Sequence, residues 1–186
     1  MINMAEYWPL PLEGHTVRNR FDSGHTDTYL TTEFGEVWLI EHNQLNQYVD
    51  TWVLKIDKTK GIVHEVAGYK GNGKEIEHGS GYPILWSPLK GGLVSVGQRV
   101  QGSVYYESLN WYGWHQFNLV QGPHRHLGID DVIKIHFWQQ FGVQVDDPTK
   151  ERFVEADYWL APNQGMIHMK GWTWKAESDF EEKLII

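Results

Sequence analysis

Along most of this chain, apolar and polar side chains alternate one for one over short stretches, and helical spacing of apolar residues is scarce. A period of two sends successive side chains to opposite sides of an extended backbone, so such stretches are best satisfied in a pleated sheet with one face covered. The runs Phe34–Glu41, Tyr48–Ile56, Ile62–Tyr69, Val100–Tyr106, Trp114–Val120, Val132–Trp138 and Met166–Trp174 are read as strands, rich in the β-branched and aromatic residues that suit such a surface. Between them stand the groups 57–61, 70–74, 90–92 and 161–165, whose Gly, Pro, Asn and Asp residues supply turn conformations. The expected fold class is all-β, an antiparallel β-barrel or β-sandwich with little helix. The segment 149–158 fits a two-turn helix after Asp146-Asp147-Pro148, and Arg152–Leu160 fits a strand equally well.

Composition narrows the function classes. With 186 residues, the whole of 1–186 is expected to form one β domain. The formal charge of −8, without a cluster of Lys and Arg, argues against nucleic acid as a partner. Cysteine is absent, so any metal must be held by His and carboxylates, and disulfides and thiol chemistry are excluded. The first residues show no export signal and no stretch is apolar enough for a membrane span, which predicts cytoplasmic synthesis. The motifs of serine hydrolases, dinucleotide folds, P-loops and zincins do not occur. What stands out is 10 Trp, 9 Tyr and 7 Phe beside 19 Gly.

Strand parity separates core rings from surface rings. In 132–138, Ile133, Ile135 and Phe137 make one apolar face, and Lys134, His136 and Trp138 the other. The same count groups Tyr112, Trp114, Gln116 and Asn118, and groups Met166 with His168, Lys170, Trp172 and Trp174. Trp52, Leu54 and Ile56 are read as core, with Thr51, Lys55 and Asp57 wet. An indole or phenol beside hydrogen-bonding groups suits a sugar, whose C–H face lies on the ring while its hydroxyls meet the polar neighbours. It suits a protein interface as well, where Trp and Tyr act as anchors. Tyr112, Trp114, His136, Trp138 and Trp172 are therefore the candidate binding residues for a glycan or a neighbouring subunit.

His124-Arg125-His126 is the sharpest motif for metal chemistry, because residues i and i+2 of a strand share a face. With Asp130 it makes a candidate set for a divalent cation; otherwise no cofactor is expected. The motif is similar to the His-x-His element of cupins over about a dozen residues, without their second motif. The flanking Gly122-Pro123 and Gly128 point to a loop instead of a strand. Glu107, Asp130, Asp131, Glu155 and Asp157 are the carboxylates from which a glycan-cleaving pair would be drawn.

The opening Tyr7-Trp8-Pro9-Leu10-Pro11-Leu12 and the late Asp157-Tyr158-Trp159-Leu160-Ala161-Pro162-Asn163-Gln164-Gly165 resemble the two ends of lipocalin-like bacterial and phage β-proteins. The likeness covers about the first and last tenth of the chain, and what it implies is an antiparallel barrel. A bacteriophage virion protein, in a tail or as a capsid decoration, follows by analogy from an unsignalled, cysteine-free, Gly- and aromatic-rich chain. The resulting expectation is a non-enzymatic binding or structural protein, oligomeric or built into an assembly, that contacts other subunits or a surface glycan. The rivals are a glycan-cleaving or His/Asp metal-dependent hydrolase and a lipocalin-like small-molecule carrier.

Overall fold

The computed structural model of the protein describes residues 1–42, 48–70, 75–76, 93–106, 111–144, 152–173 and 178–186. They form strands β1 (Ile2–Asn3), β2 (Thr16–Arg20), β3 (Thr26–Thr31), β4 (Val37–His42), β5 (Tyr48–Asp57), β6 (Ile62–Lys70), β7 (Glu75–Ile76), β8 (Leu93–Val94) and β9 (Arg99–Tyr106). These are followed by β10 (Trp111–His126), β11 (Ile129–Gln144), β12 (Arg152–Ala161), β13 (Gly165–Thr173) and β14 (Ser178–Lys183). The helical content of the described residues is a single 3-10 turn, Met4–Tyr7. Strands β2 to β7 make one six-stranded sheet in sequence order, β9 to β14 make a second, and β1 pairs with β8. Every pairing is antiparallel.

The all-β expectation holds, and neither sheet closes on itself into a barrel. The sheets meet at one edge through a bridge between Phe21, just past β2, and Leu184, just past β14. Asp22 N donates to Lys183 O at 2.9 Å, and Ile185 N donates to Arg20 O at 2.8 Å.

Each sheet buries an apolar cluster, and the 3-10 turn contributes to both. Met4 and Tyr7 join Leu119, Ile133, Ile135, Phe137, Tyr158 and Leu160 of the second sheet. Ala5 and Trp8 join Tyr29, Val37, Leu39, Leu54 and Val63 of the first. Successive residues of a tight turn point in different directions, which lets one short segment serve two walls. The turn is fastened at both sides: Asn3 Nδ2 donates to Lys58 O at 2.6 Å, and Asn163 N donates to Glu6 O at 2.8 Å. Burying the Met4 side chain contributes about 1.5–3 kcal/mol on its own. The opening of the chain is thus packed into the apolar clusters of both sheets.

Several local expectations are corrected. The run at 34–41 starts later, at Val37, because Gly35 adopts φ 72° in the turn from β3. The segment left between helix and strand is β12, for which the alternation of Glu155, Asp157 and Trp159 with Ala156, Tyr158 and Leu160 decides. Thr51 is buried, not wet; it sits in register with Ile40, next to the pair of Val53 with Trp38. The turns at 57–61 and 161–165 are where expected, whereas 71–74 and 90–92 lie outside the described residues.

Candidate functional site

The Val132–Trp138 parity is borne out. Ile133, Ile135 and Phe137 are buried, while Lys134, His136 and Trp138 are half-exposed on the opposite, outer face. Register extends this outer face across three more strands. One row runs Lys134, Trp159, His168 and Lys183; the next His136, Asp157, Lys170 and Glu181; the third Trp138, Glu155, Trp172 and Asp179. Cross-strand partners share a face, so Trp138 and Trp172 flank Glu155 on one surface. The parity fails at Met166. An irregularity in the β12–β13 pairing between Trp159 and Leu160 leaves Ile167 unpaired and turns Met166 inward, onto the core of the second sheet.

Polar contacts lace the rows together. Lys134 Nζ is 2.8 Å from Asp157 Oδ2, and the His136 ring meets Asp157 Oδ1 through Nδ1 at 3.0 Å and Glu155 Oε1 through Nε2 at 3.2 Å. Burial alone would raise the pKa of the Asp157 carboxyl, but hydrogen bonds from Lys134 and His136 hold it below the usual carboxylate value. Glu181 receives Lys183 at 2.9 Å and His168 at 3.0 Å, and these two contacts lower its pKa. An open groove of about 610 Å³ runs along His136, Glu155, Asp157, Lys170, Trp172 and Glu181.

At the hairpin end of this face lies a second grouping. His126 Nε2 is 2.8 Å from His168 Nδ1, and the two rings are within 4° of parallel with centroids 5.1 Å apart. A hydrogen bond between ring edges at that spacing places the imidazoles side by side in one plane. Both are stacked with the Trp159 indole, His168 at 4.1 Å and His126 at 5.1 Å, and Lys134 Nζ sits 4.8 Å from the indole centre. The pKa of His126 is lowered by burial and then by the charges of His168, His124, Lys183 and Lys134. That of His168 is lowered by burial, which outweighs the opposing pull of Glu181.

His124 and His126 lie on strand β10, not on a loop. Irregularities in the β10–β11 pairing around Gln121 and His124 absorb Gly122-Pro123, and Leu127 and Gly128, at φ 49° and 80°, make the hairpin turn beyond. The set imagined from sequence is not assembled as such. Asp130 is 71% exposed and pairs with Arg125 at 3.6 Å, His124 Nδ1 contacts Gly122 O at 3.0 Å, and His126 turns to His168. Of the five candidate binding residues, His136, Trp138 and Trp172 share the outer face. Tyr112 and Trp114 lie on β10, in register with Val143 and Gln140, and their side chains lie outside the described residues.

Comparison of the chain with protein-family models, with curated proteins and with solved structures finds no match. The reading of this face therefore rests on its own geometry. Sequence reasoning misses Trp159 and Glu181 as members and places His168 only in a polar wall. The signal for Trp159 was its shared parity with Glu155 and Asp157, which counts only once that segment is taken as a strand.

Proposed function

We propose that this protein works by binding, and that the outer face of the second sheet holds a hydroxyl-rich glycan in the setting of a virion-type structural or adhesion component. The observation that carries the reading is a groove lined by Trp172, Glu155, Asp179, His136, Asp157, Lys170 and Glu181, with Trp138 beside Glu155 in register on the same face. Rings offer the flat apolar surface a pyranose face needs, and the carboxylates and Lys170 offer acceptors and donors for its hydroxyls. The groove carries the carboxylates of Glu155, Asp157, Asp179 and Glu181 against the ammonium of Lys170, which suits a neutral saccharide better than a polyanion. Met4, Tyr7 and Trp8 are buried in the apolar clusters of the two sheets, which favours an outer surface over the hollow of a carrier.

The test is a glycan array followed by calorimetry on the best binder, with Trp138→Ala and Trp172→Ala against Phe34→Ala in the exposed turn before β4. The two outer-face variants should lose at least tenfold in affinity while Phe34→Ala and all three folds stay intact. Absence of glycan binding by the wild-type protein overturns the reading. Loss of a sedimenting oligomer in the same two variants would reassign the face to a subunit contact, and release of sugar fragments, stopped by Glu155→Gln or Asp157→Asn, would reassign it to hydrolysis.

A further inference from the structure

The inner side of the first sheet is not apolar throughout. Asn19 on β2, Asp27 on β3 and Glu41 on β4 are register neighbours, Asn19 opposite Asp27 and Asp27 opposite Glu41. Such partners share a face, with Cβ atoms about 5 Å apart. Two residues along, the same face carries Tyr29 and Leu39, both in the apolar cluster, so this polar row faces inward. Asn19 is 1% and Asp27 2% exposed. His25 completes the grouping: its Nε2 is 2.7 Å from Asp27 Oδ1, and one ligand atom each from His25, Asp27 and Glu41 lies within 4.8 Å of the other two.

Two more oxygens point to a ligand. The Asn19 amide nitrogen donates to Gln164 O at 2.7 Å and Met166 O at 3.3 Å, while its Oδ1 is buried without a hydrogen-bond partner among the described residues. Glu182 Oε2, on β14 of the second sheet, is in the same condition. The negative field of Glu182 reaches the His25 imidazole, and the backbone beside it is bonded to Asp22, three residues before His25, through Lys183 N at 2.9 Å from Asp22 Oδ1. A buried polar atom left without a partner is destabilising, and an ion that the oxygens ligate removes that cost. One imidazole among carboxylate oxygens is a donor set for Zn²⁺ or Mn²⁺, whereas Mg²⁺ and Ca²⁺ take oxygen alone.

We infer that His25, Asp27 and Glu41 form a site for a divalent transition cation where the first sheet meets the end of β14, with Asn19 Oδ1 and Glu182 as its supporting oxygens. Its role is structural: the ion ties β3 and β4 to the last strand of the second sheet, beside the Phe21–Leu184 bridge. It is separate from the His126–His168 pair on the outer face and does not depend on the glycan reading.

Protein made without a polyhistidine tag is stripped with chelator and titrated by calorimetry with ZnCl₂ and MnCl₂, with MgCl₂ as control. The expected result is one transition ion per chain and a raised melting temperature, with Mg²⁺ at least tenfold weaker. X-ray absorption of the zinc-loaded wild-type protein should show one imidazole among oxygen donors. Asp27→Asn should weaken binding at least tenfold, and His126→Gln should leave it unchanged. The inference is overturned by no saturable binding, by two or more imidazoles around the ion, or by binding lost in His126→Gln and kept in Asp27→Asn. Should Asp27→Asn fail to fold, the imidazole count on wild-type protein decides alone.

Discussion

His126 and His168 share a single 2.8 Å hydrogen bond between ring nitrogens, and the far nitrogen of His168 meets Glu181 at 3.0 Å. An ionised carboxylate only accepts, so His168 Nε2 carries a proton; with His168 neutral its Nδ1 is an acceptor, and His126 Nε2 must donate. Both imidazoles are thereby held as one tautomer, layered on Trp159. The geometry is self-consistent with both rings uncharged, which is the direction of their pKa shifts.

The pair makes stability depend on pH. Both values lie below the ordinary histidine value of 6.5, His126 through burial and then positive neighbours, His168 through burial. Between the lowered values and about 6.5 the unfolded chain binds protons that the folded chain does not, so this contribution is complete above about 6.5 and is lost as pH falls. Urea denaturation from pH 7.5 down to about 5 should show a falling midpoint, and His126→Gln should flatten that slope. A wild-type slope retained in His126→Gln would remove the pair from the account.

His25 should behave in the opposite sense. Its hydrogen bond to Asp27 raises its pKa above 6.5 against the effect of burial, with the fields of Asp27, Glu182 and Glu41 adding to the rise. The folded chain then holds a proton the unfolded one releases, so the stabilisation is full below about 6.5 and disappears as pH rises through the raised value. In chelator, His25→Gln should cost more stability at about pH 6 than at pH 8.5; equal losses at both would mean that the ion pair contributes nothing.

How far the sequence carried this picture differs between the two sheets. Parity located the inner and outer faces of β11 because Ile133, Ile135 and Phe137 alternate cleanly with Lys134, His136 and Trp138. It went astray at Met166, where an irregularity shifts the count by one, and at Thr51, a small polar residue that is buried. Strands β2 and β3 were not recognised, since Thr16–Arg20 and Thr26–Thr31 put Asn19 and Asp27 on the inner face where the rule expects apolar residues. The same exception hid the His25, Asp27 and Glu41 grouping: its members are brought together by register, which a single sequence does not specify. Of the barrel and sandwich alternatives for the all-β fold, the two sheets stay open, and the aromatic opening packs against the apolar cluster of each.

At Gly171, β13 approaches β12 closely. A Cβ there would fall 2.2 Å from Glu155 O and 2.5 Å from Ala156 Cβ, so the strand itself would have to move. Gly171→Ala should cost about 2 kcal/mol or more, as overpacking does. The contrast is Gly122→Ala, whose Cβ would meet Val96 Cγ2 at an ordinary 3.5 Å and which should be within about 0.5 kcal/mol of wild type. Equal denaturation midpoints for the two variants would refute the close approach.

The turn at Met4–Tyr7 touches two clusters whose other members, Ile2 and Trp8 apart, lie between Val17 and Phe180. Those contacts close very large loops, and closing them early is entropically expensive. Each meander can assemble from neighbouring hairpins, but the segment that keys them together has no complete binding place until both exist. The turn should therefore be among the last pieces to dock, since its place is complete only once both sheets exist.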